Sequence, residues 1–339
     1  MSTGPVKSTA NESVEVGEEA FRYRVEEDWP RLPADWDWVE VAAVATDSQD
    51  RVFVFNRGAH PVAVFSPEGE LLDTWGEKVI ARAHGITIGS DDVVYCVDDL
   101  DHTVKAFSIT GDLLWTLGTS GQSSDTGATT VDYRTIRRAG PPFNFPTNLA
   151  AAPNGDLYVT DGYGNARVHR FSADGQLQES WGEPGAGPGQ FHVPHGIAVD
   201  RRGIVYVADR ENSRIQLFSA EGEYISEWSN IARPCQVFID DRDNVFVAEL
   251  GYRAGMWPGT EPPSPSSTGG RVSVFNFRGE RVAQWGGGEN PCAPGDFFAP
   301  HDICCDSRGS IYVGEVIQSA GGKRRLVSPR CHCLQKFVR

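Results

Sequence analysis

One unit recurs six times along the chain: an apolar start, a short strand, an Asp-rich turn, a second strand, a hairpin of the form VxxFs-x-x-G and an ending xxW-G. The copies open at Ala42, His84, Thr147, His195, Cys235 and His301, and two of them read HGITIGSDDVVYCVDDLDHTVKAFSITGDLLWTLG and HGIAVDRRGIVYVADRENSRIQLFSAEGEYISEWS. Each holds three or four short alternating strands joined by Gly, Asp or Asn turns. Repeats of about 40 residues built this way cannot bury both faces alone and must pack against neighbours, as propeller blades do. The sequence therefore predicts an all-β fold, a six-bladed β-propeller in one domain over residues 19–339, after a polar disordered tail at 1–18. The sixth copy runs out of chain before a full fourth strand. A strand near residues 21–25 is expected to complete that blade and close the ring.

Composition narrows the partners. With 31 Lys+Arg against 46 Asp+Glu the formal net charge is -15, which disfavours a nucleic-acid backbone or an anionic membrane surface. No apolar run approaches the ~20 residues of a spanning helix, and the first 20 residues lack the apolar core of a secretory signal. The seven Cys are odd in number and irregularly spaced, which suits a reducing compartment better than a disulfide framework. A cytoplasmic protein without disulfides is the expectation. Three stretches interrupt the repeat, at 119–142, 255–270 and 318–330, and are expected as loops on one rim, where function usually sits.

Aligning the copies places Ala42, His84, Thr147, His195, Cys235 and His301 at one equivalent position before the first strand of each blade. Histidine occupies blades 2, 4 and 6. The innermost strands of a propeller line its channel, so alternate blades bring three imidazoles to one depth about 120° apart. Three protein ligands with an open fourth position are the arrangement of catalytic zinc. A structural role at blade starts is the alternative, but it gives no reason for strict alternation. The other histidines, His60, His102, His169, His192 and His332, fall at unrelated positions and read as surface or packing residues.

Two further sets share a register. Val44 and Ile86 lie two residues past the blade start and Asp302 one residue past His301. Channel-facing carbonyls and one carboxylate are oxygen ligands of the kind calcium takes. Ordinary strand residues beside a solvated Asp fit the same spacing. Arg57, Tyr163 and Arg210 lie 15 or 16 residues past the starts of blades 1, 3 and 4. Two guanidiniums and a phenol near a metal suit a substrate bearing a carboxylate. The alternative is surface Arg pairing with nearby acids, such as Asp209 and Glu211 beside Arg210, with Tyr163 as a turn residue. Cys331, His332 and Cys333 with Cys304 and Cys305 match no usual zinc spacing, and Cys235 reads as a buried free thiol.

The segments PHGIAVD, YVTDGYGNAR, YVADRENSRIQ, FVFNRGAH and APHD make the repeats NHL-type and resemble, over about residues 40–316, the lyase domain of peptidylglycine α-amidating monooxygenase, the peptidyl-α-hydroxyglycine α-amidating lyase. The resemblance implies a catalytic Zn2+ on His84, His195 and His301. It also implies a structural Ca2+ held by the carbonyls of Val44 and Ile86 and by Asp302, with Tyr163, Arg57 and Arg210 as catalytic residues. The implied reaction cleaves an N-acyl or peptidyl α-hydroxyglycine into an amide and glyoxylate, with Tyr163 as the base and the arginines on the substrate carboxylate. This chain departs from the family at Ala299, where the family has methionine, and at Gly164 and Leu217, where disulfide cysteines would stand. A metal-dependent hydrolase of a lactone or amide on the same propeller and a non-enzymatic NHL-repeat binding scaffold are the alternative readings.

Overall fold

The computed structural model describes residues 13–34, 36, 38–253 and 268–339. The tail expected at 1–18 and the interruption at 255–270 fall in part outside them. Within the described residues the chain forms five four-stranded antiparallel sheets and one five-stranded sheet. The repeat accounts for the order of strands. In blade 2, Ala83–Ile88, Val94–Asp98, Thr103–Phe107 and Leu113–Leu117 run from the inner strand outward, and each pairs with the next. The inner strands of successive blades pack side by side around the axis, so the six-bladed propeller read from the sequence is the fold.

Closure is made by the N-terminal segment. The sixth blade takes Pro300–Cys305, Ile311–Glu315 and Leu334–Val338 from the end of the chain, and Tyr23–Glu26 pairs antiparallel with the last of these. Glu15–Val16 adds a fifth strand outside Tyr23–Glu26, so part of the segment expected as disordered tail is sheet. Blade 6 is thus built from segments near both ends of the chain, and its sheet ties them together around the ring.

The recurring W-G and F-x-x-x-G elements meet between neighbours. The ring of Trp75 ends blade 1 and lies under the turn glycine Gly111 of blade 2, where an added Cβ would stand 2.5 Å from the ring at a φ of +88°. Trp181 and Gly222 repeat this between blades 3 and 4, with φ +83° and a Cβ contact of 2.6 Å, and Trp228 and Gly279 between blades 4 and 5. Only glycine combines that backbone with that approach. Blade 6 has no such tryptophan to offer blade 1, and Trp29 from the N-terminal segment packs on Gly69 in its place.

A carboxylate or amide ends the second strand of every blade: Asn56, Asp98, Asp161, Asp209, Glu249 and Glu315, all buried. In blades 2 to 6 it accepts a hydrogen bond from backbone N–H groups just ahead of the inner strand, as Asp98 does from Ala81 and Arg82, Asp209 from His192 and Glu315 from Phe298 and Ala299. Otherwise orphaned donors are satisfied, and the segment that enters each inner strand is fixed in place.

The cysteines depart from expectation. Cys292 and Cys331 form a disulfide that closes a separation of 39 residues. Neither residue belongs to a repeated strand, so their proximity depends on how the loop before blade 6 and the end of the 318–330 insertion fold together. Cys96, Cys235, Cys304, Cys305 and Cys333 are free thiols. No helix among the described residues is long and apolar enough to cross a membrane.

Candidate metal centre and active site

The blade-start position is a β-bulge. Register shifts between Ala83 and Gly85 in blade 2 and between Pro300 and Asp302 in blade 6, leaving His84 and His301 as the extra residues, and His195 falls within the shift between Pro194 and Ile197. A bulge re-aims the side chain it carries, here toward the axis. The three imidazoles are 1–3% exposed, their ring centroids lie 4.7–4.9 Å apart, and one nitrogen of each falls within 4.8 Å of the others.

Each ring is oriented by the next blade. Nδ1 of His84 lies 2.5 Å from the Thr147 carbonyl, Nδ1 of His195 2.8 Å from that of Cys235, and Nδ1 of His301 2.6 Å from that of Ala42. The acceptors are the blade-start residues that are not histidine. A carbonyl only accepts, so Nδ1 carries the proton and Nε2 presents its lone pair to the centre. Burial holds His84 and His195 well below the usual imidazole value, with the neighbouring imidazoles and Arg57 adding to it at His84, and Arg210, His301 and Arg57 at His195. Burial and Arg57 push His301 down to about 3. Three neutral imidazoles are the protonation state that a metal requires.

Tyr163 completes the cluster. Its Oη stands 3.0 Å from Nε2 of His84 and 3.1 Å from Nε2 of His195, and Nη1 of Arg210 donates to it at 3.3 Å. One phenolic proton satisfies only one of the two nitrogens, so acceptor lone pairs are in excess, which suits a cation. Burial raises the Tyr163 phenol, and the Arg210 and Arg57 charges oppose that rise. Arg210 is fully buried beneath the Tyr163 ring, with its guanidinium 5.3 Å from the ring centroid. It is not the surface residue of the alternative reading, although it pairs with Glu211 at 2.9 Å. Arg57 donates from Nε to the Ala83 carbonyl at 2.9 Å, one residue before His84, and from Nη1 to Glu40 at 2.8 Å. The structure thus brings all six residues to one end of the channel.

Val44, Ile86 and Asp302 lie further along the channel, around a cavity of about 200 Å³ that Gln236 also lines. Asp302 is 2% exposed; its Oδ1 accepts from the Ile303 N–H at 2.7 Å, while Oδ2 is buried without a hydrogen bond of good geometry, the Gln236 side chain and the Val44 backbone being the polar groups that face the carboxyl. Burial pushes its carboxyl well above the usual range. The Asp is not solvated. An orphaned buried carboxylate oxygen among inner-strand backbone fits a hard cation.

Several partners were not visible as site residues in the sequence. Glu211, read from the sequence as a neighbour of Arg210, also bridges to Arg233, with 2.9 Å to each; Arg233 as its second partner and Glu40, which accepts from both Arg57 and Ser319, carried no such signal. Two insertions converge on this face. Val131 and Tyr133 of 119–142 pack on the cluster of Phe145, Tyr163 and Val193, and Thr126 Oγ1 donates to the Gly164 carbonyl at 2.5 Å. A Cβ at Gly164 would meet Asn144 Oδ1 at 2.4 Å, so the family's cysteine has no room here. Ala299 is fully buried, with its N–H on Glu315. The remaining histidines pack outside the ring, for example His169 against Asp161 and Ser180, and Cys235 is a buried thiol.

A family model described as NHL repeat matches residues 143–171 and 191–218. The chain is 32% identical over 312 residues to NHL repeat-containing protein 3 of Mus musculus, covering 87% of this chain and 81% of that protein. It is 31% identical over 263 residues to peptidyl-α-hydroxyglycine α-amidating lyase 1 of Drosophila melanogaster, covering 73% of this chain and 45% of that protein, which bears out the resemblance carried by the motifs. Among solved structures, a gluconolactonase of Xanthomonas campestris matches with a TM-score of 0.61 at 14% identity over 100% of this chain and 98% of that one, a likeness of fold alone. By its repeats, its six blades and its identity to relatives along most of its length, the chain belongs to the NHL-repeat β-propeller family that includes NHL repeat-containing protein 3.

Proposed function

We propose that this protein is a zinc-dependent carbon-nitrogen lyase that splits an N-acyl or peptidyl α-hydroxyglycine into an amide and glyoxylate. The observation that carries the reading is the position of Tyr163 Oη, within 3.1 Å of two buried imidazole nitrogens and within reach of Arg210. Nε2 of His84, His195 and His301 would hold the zinc, which when bound supplies the Lewis acidity that lowers the pKa of a hydroxyl at its open position.

The protein's own groups do the rest. Arg57 and Arg210 bind the substrate carboxylate through charge-assisted hydrogen bonds, setting the α-carbon beside Tyr163. Burial holds the Tyr163 phenol above its ordinary value and the two arginine charges oppose that rise; with the further positive charge of zinc bound beside it, Tyr163 Oη would accept the hydroxyl proton. As the C–N bond breaks, its electron pair goes to the amide nitrogen, which gains a proton, and the hydroxyl-bearing carbon becomes the aldehyde of glyoxylate. Phe145, Val193 and the 119–142 insertion exclude water from one side of this reaction.

A structural Ca2+ on Asp302 and the carbonyls of Val44 and Ile86 belongs to the same proposal, supported by the orphaned Asp302 oxygen. The partner is a small molecule or peptide carrying a carboxylate. A cytoplasmic location rests on the five free cysteines; the Cys292–Cys331 bridge weighs against it. Glyoxylate release from α-hydroxyhippurate, measured beside zinc content, tests the reading against hydrolysis and against a binding scaffold. The buried Arg and Tyr set favours the lyase, because a scaffold has no use for desolvated charge at that depth.

A further inference from the structure

A pocket of about 300 Å³ opens beside Arg57, between blades 1 and 2 and the 318–330 insertion, lined among others by Glu40, Arg57, Arg82, Ala83, Ser319 and Lys323. It adjoins the metal centre, because Ala83 precedes His84 and its carbonyl accepts from Arg57 Nε. Val39, Pro61 and Ile80 supply its apolar lining.

The charges of the pocket do not balance. Glu40 is its one acidic lining residue, and both oxygens are already used: Oε1 accepts from Arg57, and Oε2 accepts from the Ser319 N–H at 2.7 Å and hydroxyl at 3.0 Å. Arg82 forks onto the buried Asp99 at 2.6 and 2.7 Å. The Lys323 ammonium is then the lining charge with no counter-charge among the lining residues. Arg324 and Arg325 follow it, both exposed, on an insertion that Ser319 ties to the Arg57 partner Glu40. On a chain of net charge -15, three consecutive cations on the insertion that lines this pocket favour an anionic group there.

We propose that this pocket receives the acyl group of the substrate and selects acyl groups that carry their own carboxylate, with the aliphatic stem against Ile80 and Pro61 and the carboxylate at Lys323. That this ligand is a substrate rests on the lyase reading; the ligand chemistry of the pocket does not. The test uses N-acylglycines, which lack the hydroxyl and are not turned over: N-succinylglycine against its neutral amide N-succinamoylglycine, titrated calorimetrically into protein purified without chelator. The acid is expected to bind about three- to tenfold more tightly, as a partly exposed charge-assisted contact allows. Lys323→Gln brings the ratio of the two affinities close to one, while Arg278→Gln, an equal charge change on an exposed turn of blade 5, keeps it. Equal affinities in the wild-type protein, no binding of either analogue, or the same loss of preference in Arg278→Gln overturns the assignment. Glyoxylate release from α-hydroxyhippurate is scored separately: its absence beside a Lys323-dependent preference removes the lyase and leaves the pocket, and its presence beside equal affinities does the reverse.

Discussion

Tyr163 Oη and His84 Nε2 lie 3.0 Å apart across 79 residues of sequence, joining the turn of blade 3 to the inner strand of blade 2. The contact exists because the propeller puts every blade start at one depth and every second-strand end at another, and Tyr163 reaches from the second level to the first. It couples the group proposed to move a proton to the group proposed to hold the metal.

If Tyr163 Oη is the proton acceptor, Tyr163→Phe keeps the ring packing and removes the chemistry. Glyoxylate release is expected to fall by about 10²- to 10⁴-fold, the usual share of a positioned acid-base group. Zinc content stays at the wild-type level, since no ligand is lost. Unchanged turnover by Tyr163→Phe removes the base assignment.

Glu211 sets up a second prediction, on stability and pH. Burial alone would raise its carboxyl, but the Arg210 and Arg233 charges outweigh burial and hold it below the ordinary 4.5. Its contribution to stability is therefore present above that value and is lost as pH falls through the lower folded-state pKa. Glu211→Gln leaves two buried guanidiniums without their carboxylate and is expected to cost about 3–5 kcal/mol. Urea denaturation at neutral pH reads the cost. Repeating it at acid pH should find the gap between variant and wild type narrowed; a gap independent of pH contradicts the ionised bridge.

The tryptophan-glycine contact between blades predicts that Gly222→Ala destabilises the fold well beyond a helix-type glycine effect. The new methyl meets the Trp181 ring at 2.6 Å on a backbone with φ +83°, so overpacking of about 1–3 kcal/mol adds to the backbone strain. Thermal unfolding of this variant beside Gly203→Ala separates the two terms. Gly203 has φ +82° and its nearest neighbour, Ala220, stands 4.0 Å away. Equal losses in both variants mean that the ring contact contributes nothing.

The legible part of the site is the part that obeys the repeat. His84, His195 and His301 stand out because register alone identifies them, and Arg57, Tyr163 and Arg210 share a second register. Residues that break the repeat were hidden. Ser319 meets Glu40 across 279 residues, and Trp29 takes the place of a blade-6 tryptophan. The Cys292–Cys331 bridge joins two non-repeated loops that no spacing rule relates. Even the imidazole tautomers depended on structure, since the orienting carbonyls of Ala42, Thr147 and Cys235 belong to residues whose side chains carry no signal.

The most direct test is elemental analysis of wild-type protein and His195→Ala, purified without chelator or a His tag, with glyoxylate release from α-hydroxyhippurate assayed on the same samples. About one zinc per chain in the wild type, lost in His195→Ala, with glyoxylate released by the wild type and not by the variant, is the predicted result. Wild-type protein that binds zinc but releases no glyoxylate, or that binds no transition metal at all, contradicts the lyase.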